Sequence, residues 1–342
     1  MKALGSRLLL AGVFALSFAL AAAREGARRD EAAASMAKAA QSFLDGLVEP
    51  QRAKASFAFD SPVRLDWHFV PRDRQGLPIG DLSETSRKQL DALIDCGLSS
   101  KGHAKLDGVL KLENVLRGTE GAWRDPAKYH VAIFGTPGVD PWGWRLEGHH
   151  FTAHFTSVDE DEIAVTPNFV GANPARVGDG VDAGFELLAG EDAQARSFAS
   201  SLTAVELERA HLAGNTPDDV LLLPTRAKLD TPPSGLCAKD LDPAQRAALT
   251  AIVDSYFADL SKDLAERERA RFAKHSLDQL FFAWSGDRQA KKPWYWRVQG
   301  DYFAIEFVYP RGEVNHAHRI WRDFERDLGG DALREHLAHE KK

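Results

Sequence analysis

Apolar residues recur with two periods along this chain, and the two alternate in blocks. Over Asp30–Leu47, Met36, Ala40, Phe43 and Leu47 fall about one helical turn apart, which predicts an N-terminal helix. Phe57 and Phe59, then Val63, Leu65, Trp67 and Phe69, alternate with other residues and predict two strands ahead of a turn-rich stretch at Pro71–Gly80. Ser83 stands where a helix N-cap belongs, with Leu90, Leu93 and Ile94 as the apolar stripe and Gly97 as the stop. Helical patterns also cover Lys101–Arg117, Glu191–Ala213 (broken near Ser201) and Ser261–Lys274. Strand patterns cover Tyr129–Phe134, Glu162–Phe169, Leu221–Leu223 and Leu280–Trp284. Gly171–Gly190 reads as a long glycine-rich loop, Lys228–Ala238 as a linker and Asp331–His339 as a closing helix.

Two of these blocks occur twice. Pro141–Phe155, PWGWRLEGHHFTAHF, returns as PWYWRVQGDYFAIEF at Pro293–Phe307, an offset of 152 that repeats Pro141, Trp142, Trp144, Arg145, Gly148, Phe151 and Phe155 unchanged. Asp81–Asp95 is echoed at Asp240–Asp254 with an offset of 159, where Asp242 caps and Pro243 takes the first helical turn. Two echoes in the same order predict a duplication. The expected architecture is α+β: two helix–helix–antiparallel meander units, 57–227 and 228–342, packed about a pseudo-twofold behind an N-terminal helix in 24–56.

The first residues have a different grammar. Lys2 and Arg7, an apolar run over Leu8–Leu20 and Ala21-Ala22-Ala23 predict a signal peptide over 1–23, too short and wrongly flanked for a spanning helix. The expected location is therefore secreted or periplasmic, with no membrane attachment after cleavage. Its removal takes the formal charge from −7 to about −9. An acidic chain without a basic block argues against nucleic acid as a partner. Apolar content of 44% is enough for a sizeable core. Cys96 and Cys237 are either one disulfide or two buried thiols. There is no P-loop, no GxGxxG after a strand, no GxSxG and no HExxH.

The chemistry concentrates in histidines. Glu147-Gly148 is read as the turn of the first hairpin, followed by His149 and His150, which a bulge could aim at one point. His154 lies too far along the strand to join them, at about 13 Å from His150. His316 and His318, at i and i+2, share one face of a strand, and packing about the pseudo-twofold could bring them to the opposite hairpin. Neutral imidazoles suit zinc, copper or iron, so His149, His150, His316 and His318 are candidate metal ligands. Glu147, Glu306 and Asp323 are candidate carboxylate partners, with Glu147 also a candidate catalytic base beside His150. The bland alternative is that these histidines merely make hydrogen bonds at sheet ends. Trp144 and Trp296 read as core, whereas Trp142 is left open as a substrate contact. Arg145 could clamp an anion or pair with Glu147. Arg176, in the glycine-rich loop, is a further substrate-binding candidate.

At these residues the chain resembles domain of unknown function family 3500, whose members occur in bacteria and fungi and are often exported. The resemblance runs from about Phe59 to His336 and rests on FGTP…WGWRLEGHHFT, PNFVGANPARV and HAHRIWRDFERDLGGDALREH. Members resemble an EGHH followed at a distance by HxHxxWRD, which here are Glu147–His150 and His316–Asp323; Tyr309–Asn315, YPRGEVN, departs from the pattern. The resemblance implies no activity. The functional expectation is an exported metal-dependent enzyme, hydrolytic or oxidative. The rival is a non-catalytic module that binds a small molecule or peptide through aromatic and arginine side chains.

Overall fold

In the computed structural model, which describes residues 31–159, 162–229 and 232–330, the alternating segments collect into one twelve-stranded sheet. The stretches read as signal peptide (1–23) and as closing helix (Asp331–His339) lie outside the described residues. Residues 31–45 form α1, followed by α2 (Glu49–Ala55), β1 (Ser56–Phe57), β2 (Leu77–Pro78), α3 (Glu84–Gly97) and α4 (Ser100–Glu120). Next come β3 (His130–Thr136), β4 (Val139–Gly148), β5 (Phe151–Asp159), β6 (Glu162–Ala164) and β7 (Asn168–Ala172). Then follow α5 (Ala189–Ser201), α6 (Ala204–Ala210), β8 (Leu236–Cys237), α7 (Pro243–Phe257) and α8 (Lys262–Phe272). The last strands are β9 (Phe281–Gly286), β10 (Trp294–Gln299), β11 (Phe303–Val308) and β12 (Ala317–Asp323). This is a mixed α/β protein.

Capping chemistry sets several boundaries. The Ser83 side chain accepts from the Ser86 N–H at the start of α3, and Asp242 with Gln245 forms a capping box at the start of α7. The sheet runs β1-β3-β4-β5-β7-β12-β11-β10-β9-β8, with β2 on β3 and β6 on β5. All ladders are antiparallel except β1 on β3. Its middle is the pair β7–β12, which joins residues far apart in the sequence.

The two sheet faces have different covers. Trp142, Trp144 and Leu146 on β4, and Trp294, Trp296 and Val298 on β10, point into one large core with α3, α4, α5, α7 and α8. Alternation sends Tyr295, Ala304, Val308, Phe169 and Ile320 to the opposite face, where Trp67, Phe69, Val220 and Leu222 close a second core. This second cover consists of two irregular straps, one before β2 and one before β8.

The straps correct two strand expectations. Of Phe57–Phe69 only Phe57 joins a ladder, as the second residue of β1, and Pro62–Arg64 is a 3-10 turn. Trp67 and Phe69 do alternate inward, but the N–H of His68 between them donates to Glu147 Oε1. Leu221–Leu223 is likewise no strand, because the N–H groups of Leu221 and Leu222 donate to the Glu306 carboxylate. Alternating burial thus arises on a strap as well as in a strand, and side-chain acceptors replace the ladder. Glu162–Phe169 divides into β6 and β7 around Pro167, which has no N–H to offer. Cys96 and Cys237 are free thiols.

Candidate metal centre

The hairpin between β4 and β5 turns one residue pair later than Glu147-Gly148. Gly148 pairs with Phe151, which leaves His149 and His150 as the two turn residues. His150 adopts φ 62°, a left-handed conformation that costs a residue with a Cβ on the order of 1–2 kcal/mol. Backbone bonds on both sides hold it there: its N–H donates to Phe69 O at 2.9 Å, and its carbonyl accepts from Gly171 at 2.7 Å.

That second bond aligns three strands. Phe151 pairs with Val170, so His150 continues the row to Gly171, and Gly171 pairs with His318 on β12. Backbones two strands apart lie about 10 Å from each other, a gap that two inward-leaning imidazoles can close only if the residue between them is small. A Cβ on Gly171 would stand 2.6 Å from His150 Cδ2. Gly171 therefore supplies the space in which the rings meet.

They meet nitrogen to nitrogen. His150 Nε2 lies 2.9 Å from His316 Nε2 and 3.2 Å from His318 Nε2. One ligand atom from each of the three residues falls within 4.8 Å of the others. All three residues are buried. His318 Nδ1 lies 2.7 Å from Asp219 Oδ1, so the carboxylate places the proton on Nδ1 and leaves a lone pair on Nε2 facing His150. Burial, reinforced by the neighbouring imidazoles, pushes His150 well below the ordinary histidine range and takes His316 down to about 3. Both are neutral at pH 7. His316 Nδ1 is buried without a hydrogen-bond partner, and Glu313 Oε2 stands 3.7 Å away.

The remaining sequence candidates have other partners. His149 stacks on His150 with ring centroids 3.7 Å apart, but its Nδ1 lies 2.7 Å from Glu113 Oε2 and from Arg124 Nη1. Burial lowers its pKa against the opposing pull of Glu113. Glu147 does not reach the histidines: Arg74 Nε donates to it at 2.7 Å, and Arg145 Nε lies 3.1 Å from its other oxygen. Arg145 also donates to the carbonyls of Val63 and Asp66, so both side chains tie the first strap to β4. Glu306 is held by Tyr295 and the second strap, and Asp323 by Arg271. Trp142 is 2% exposed in the helix-side core. Arg176 pairs with Glu186 and lines a separate cleft of about 550 Å³ with Tyr309 and Asn315. His154 packs against Trp67, with Nε2 3.0 Å from Thr152 Oγ1.

Two acidic residues of the site escape sequence reasoning. Glu113 interrupts the apolar face of α4 between Val109, Leu112 and Leu116, and a lone carboxylate on such a stripe was the available signal. Asp219 sits on an irregular strap and offers no periodic signal.

No curated protein and no solved structure matches the chain. The family model described as Protein of unknown function (DUF3500) matches residues 29–330, which include the turn histidines, the HxH pair and both straps, and the chain belongs to that family.

Proposed function

We propose that this protein is a metal-dependent enzyme whose ion is held by the Nε2 atoms of His150, His316 and His318. The convergence of these three nitrogens carries the reading. Imidazole nitrogens that share one ion at about 2.0–2.1 Å stand roughly 3 Å apart, and the spacings of 2.9 and 3.2 Å match that figure. A cation would give those crowded lone pairs a common partner. The Asp219 carboxylate on His318 Nδ1 is the outer partner that orients a ligand ring and raises its basicity.

Three protein ligands leave a coordination position for water or substrate. Imidazole-only ligation suits zinc, copper or iron, and the lack of a carboxylate in the set favours zinc over the two-histidine, one-carboxylate iron pattern. Zinc held there would supply hydrolytic chemistry by lowering the pKa of a bound water, and iron or copper would supply oxidative chemistry. His149 serves beside the ion and not on it, and Glu147 braces the fold.

We further infer that the two halves are copies and that the protein is exported. Support for the duplication comes from the sheet order, which meets at β7–β12 and runs outward through corresponding strands. Stacked Trp144–Phe155 and Trp296–Phe307 recur at equivalent places. The turns between the copies' helices also clasp each other, with Ser99 N–H on Asp259 O and Ser261 N–H on Gly97 O, both at 2.9 Å. On this reading the metal takes one ligand from the first copy's turn, one from the residue just ahead of the second copy's last strand and one from that strand.

The test is elemental analysis of purified, tag-free protein. About one equivalent of a single transition metal is expected. The double variant His150→Ala/His318→Ala should bring this to background, and an unchanged metal content in a folded variant would sink the proposal.

A further inference from the structure

Beside the histidines lies a cleft of about 370 Å³, within the usual range of about 300–1,000 Å³ for small-ligand sites. His149 lines it, and that ring stacks on His150, so the cleft is one ring's thickness from the triad. Trp123, also in its lining, is 51% exposed, an unusual state for a large apolar ring. The ring is nevertheless fixed. Its Nε1–H donates to Glu120 O at 2.9 Å, and the Arg124 guanidinium lies 4.0 Å from its centroid. Arg124 in turn ion-pairs with Glu120 and touches His149, which connects the exposed indole to the triad through two side chains.

Apart from Pro71, the rest of the lining carries polar groups, with charges of both signs. Arg74 is fully occupied by Glu147 and by backbone carbonyls, and Asp125 is paired with Arg117. Among the described residues, Lys128 and Asp73 form no ion pair, which leaves a free donor and a free acceptor on the cleft wall. A rigid aromatic face combined with separate donors and acceptors fits a ring that is apolar on its face and hydroxylated around its edge. An aromatic ligand would need an apolar slot, and a strong anion would need unpaired cations without Asp73.

We propose that this cleft binds a carbohydrate, with one sugar ring stacked on Trp123 and its hydroxyls on Lys128 and Asp73. That the sugar is also the substrate rests on the metal-centre reading; the binding does not.

The full chain, stripped of metal with EDTA, is titrated with tetrasaccharides of glucose, xylose, N-acetylglucosamine and galacturonic acid, followed by calorimetry and tryptophan fluorescence. At least one should bind with a dissociation constant of about 1 mM or tighter. Trp123→Ala should weaken that binding about tenfold or more, Trp123→Phe should retain part of it, and Lys128→Ala should weaken it by a smaller factor. Because the titration uses metal-free protein, loss of the metal reading and loss of the sugar reading are separable. No binding by any of the four up to about 10 mM, or binding that Trp123→Ala does not alter, overturns the proposal.

Discussion

The substitution Gly171→Ala isolates the geometry of the triad from its chemistry. Gly171 lies in β7 and has no positive φ, so alanine fits the backbone there. The added Cβ, however, would stand 2.6, 2.7 and 3.0 Å from His150 Cδ2, Cγ and Cβ, about 0.8 Å short of ordinary contact at 3.4 Å for the nearest atom. The ring cannot simply slide away, because His149 is stacked on it and both backbone polar groups of His150 are bonded. Metal–ligand distances tolerate about 0.2 Å, so a shift of this size would remove one ligand from an ion held there. Losing an outer partner alone costs about 10–100-fold in affinity, and losing a ligand should cost at least the upper figure. Overpacking should lower stability by about 1–3 kcal/mol. The assay is a zinc competition titration with thermal unfolding of the metal-free protein in parallel. Gly178→Ala is the control, since nothing lies within 4 Å of its Cβ position. A folded Gly171→Ala protein with wild-type zinc affinity would refute the claim that this glycine makes room for the site.

Other perturbations have equally definite outcomes. Asp219→Ala should weaken metal binding about 10–100-fold, Asp219→Asn less, because the amide oxygen still accepts from His318 Nδ1; the same titration decides. Glu268 is buried with one oxygen unpartnered, and burial raises its pKa to about 7. Its folded pKa lies above the unfolded value, so its stabilising proton is in place at low pH and is lost as pH rises through about 7. Glu268→Gln should therefore raise stability at pH 8 by on the order of 2–3 kcal/mol and change little at pH 4, as read by denaturant midpoints. Phe69→Ala should cost about 3–5 kcal/mol and loosen the first strap, because this ring stacks on Phe169 at 4.0 Å and its carbonyl holds His150. Hydrogen exchange over 58–76 would report the loosening, and unchanged protection there would count against it.

Where periodicity comes with capping chemistry, the elements are legible in the sequence. Ser83 and Asp242 start their helices, and the break near Ser201 falls where α5 ends. The histidine groups at 149–150 and 316–318 are legible as the site's material: His149 and His150 stand inside the first repeated block at positions where the second copy has Asp301 and Tyr302, and His316 and His318 follow just after the second block. Which of the four converge is not legible, because it depends on a turn at His149-His150, one residue pair beyond Glu147-Gly148. The straps mislead for a physical reason: a segment lying across a sheet face buries every second side chain as a strand does, while its N–H groups go to Glu147 and Glu306. Those two carboxylates looked like chemistry and are anchors. Asp219 arrives on such a strap, so only tertiary structure could reveal it.

The triad draws on segments 166 residues apart in the chain. An ion shared by them would act as a removable cross-link, and a clip that closes a loop of that length restricts the unfolded chain more than one between near neighbours. Holding or surrendering the ion would then change how firmly the central strands are fastened as well as whether the chemistry can run. A chelating environment would thus be felt first as a slackening at the middle of the sheet.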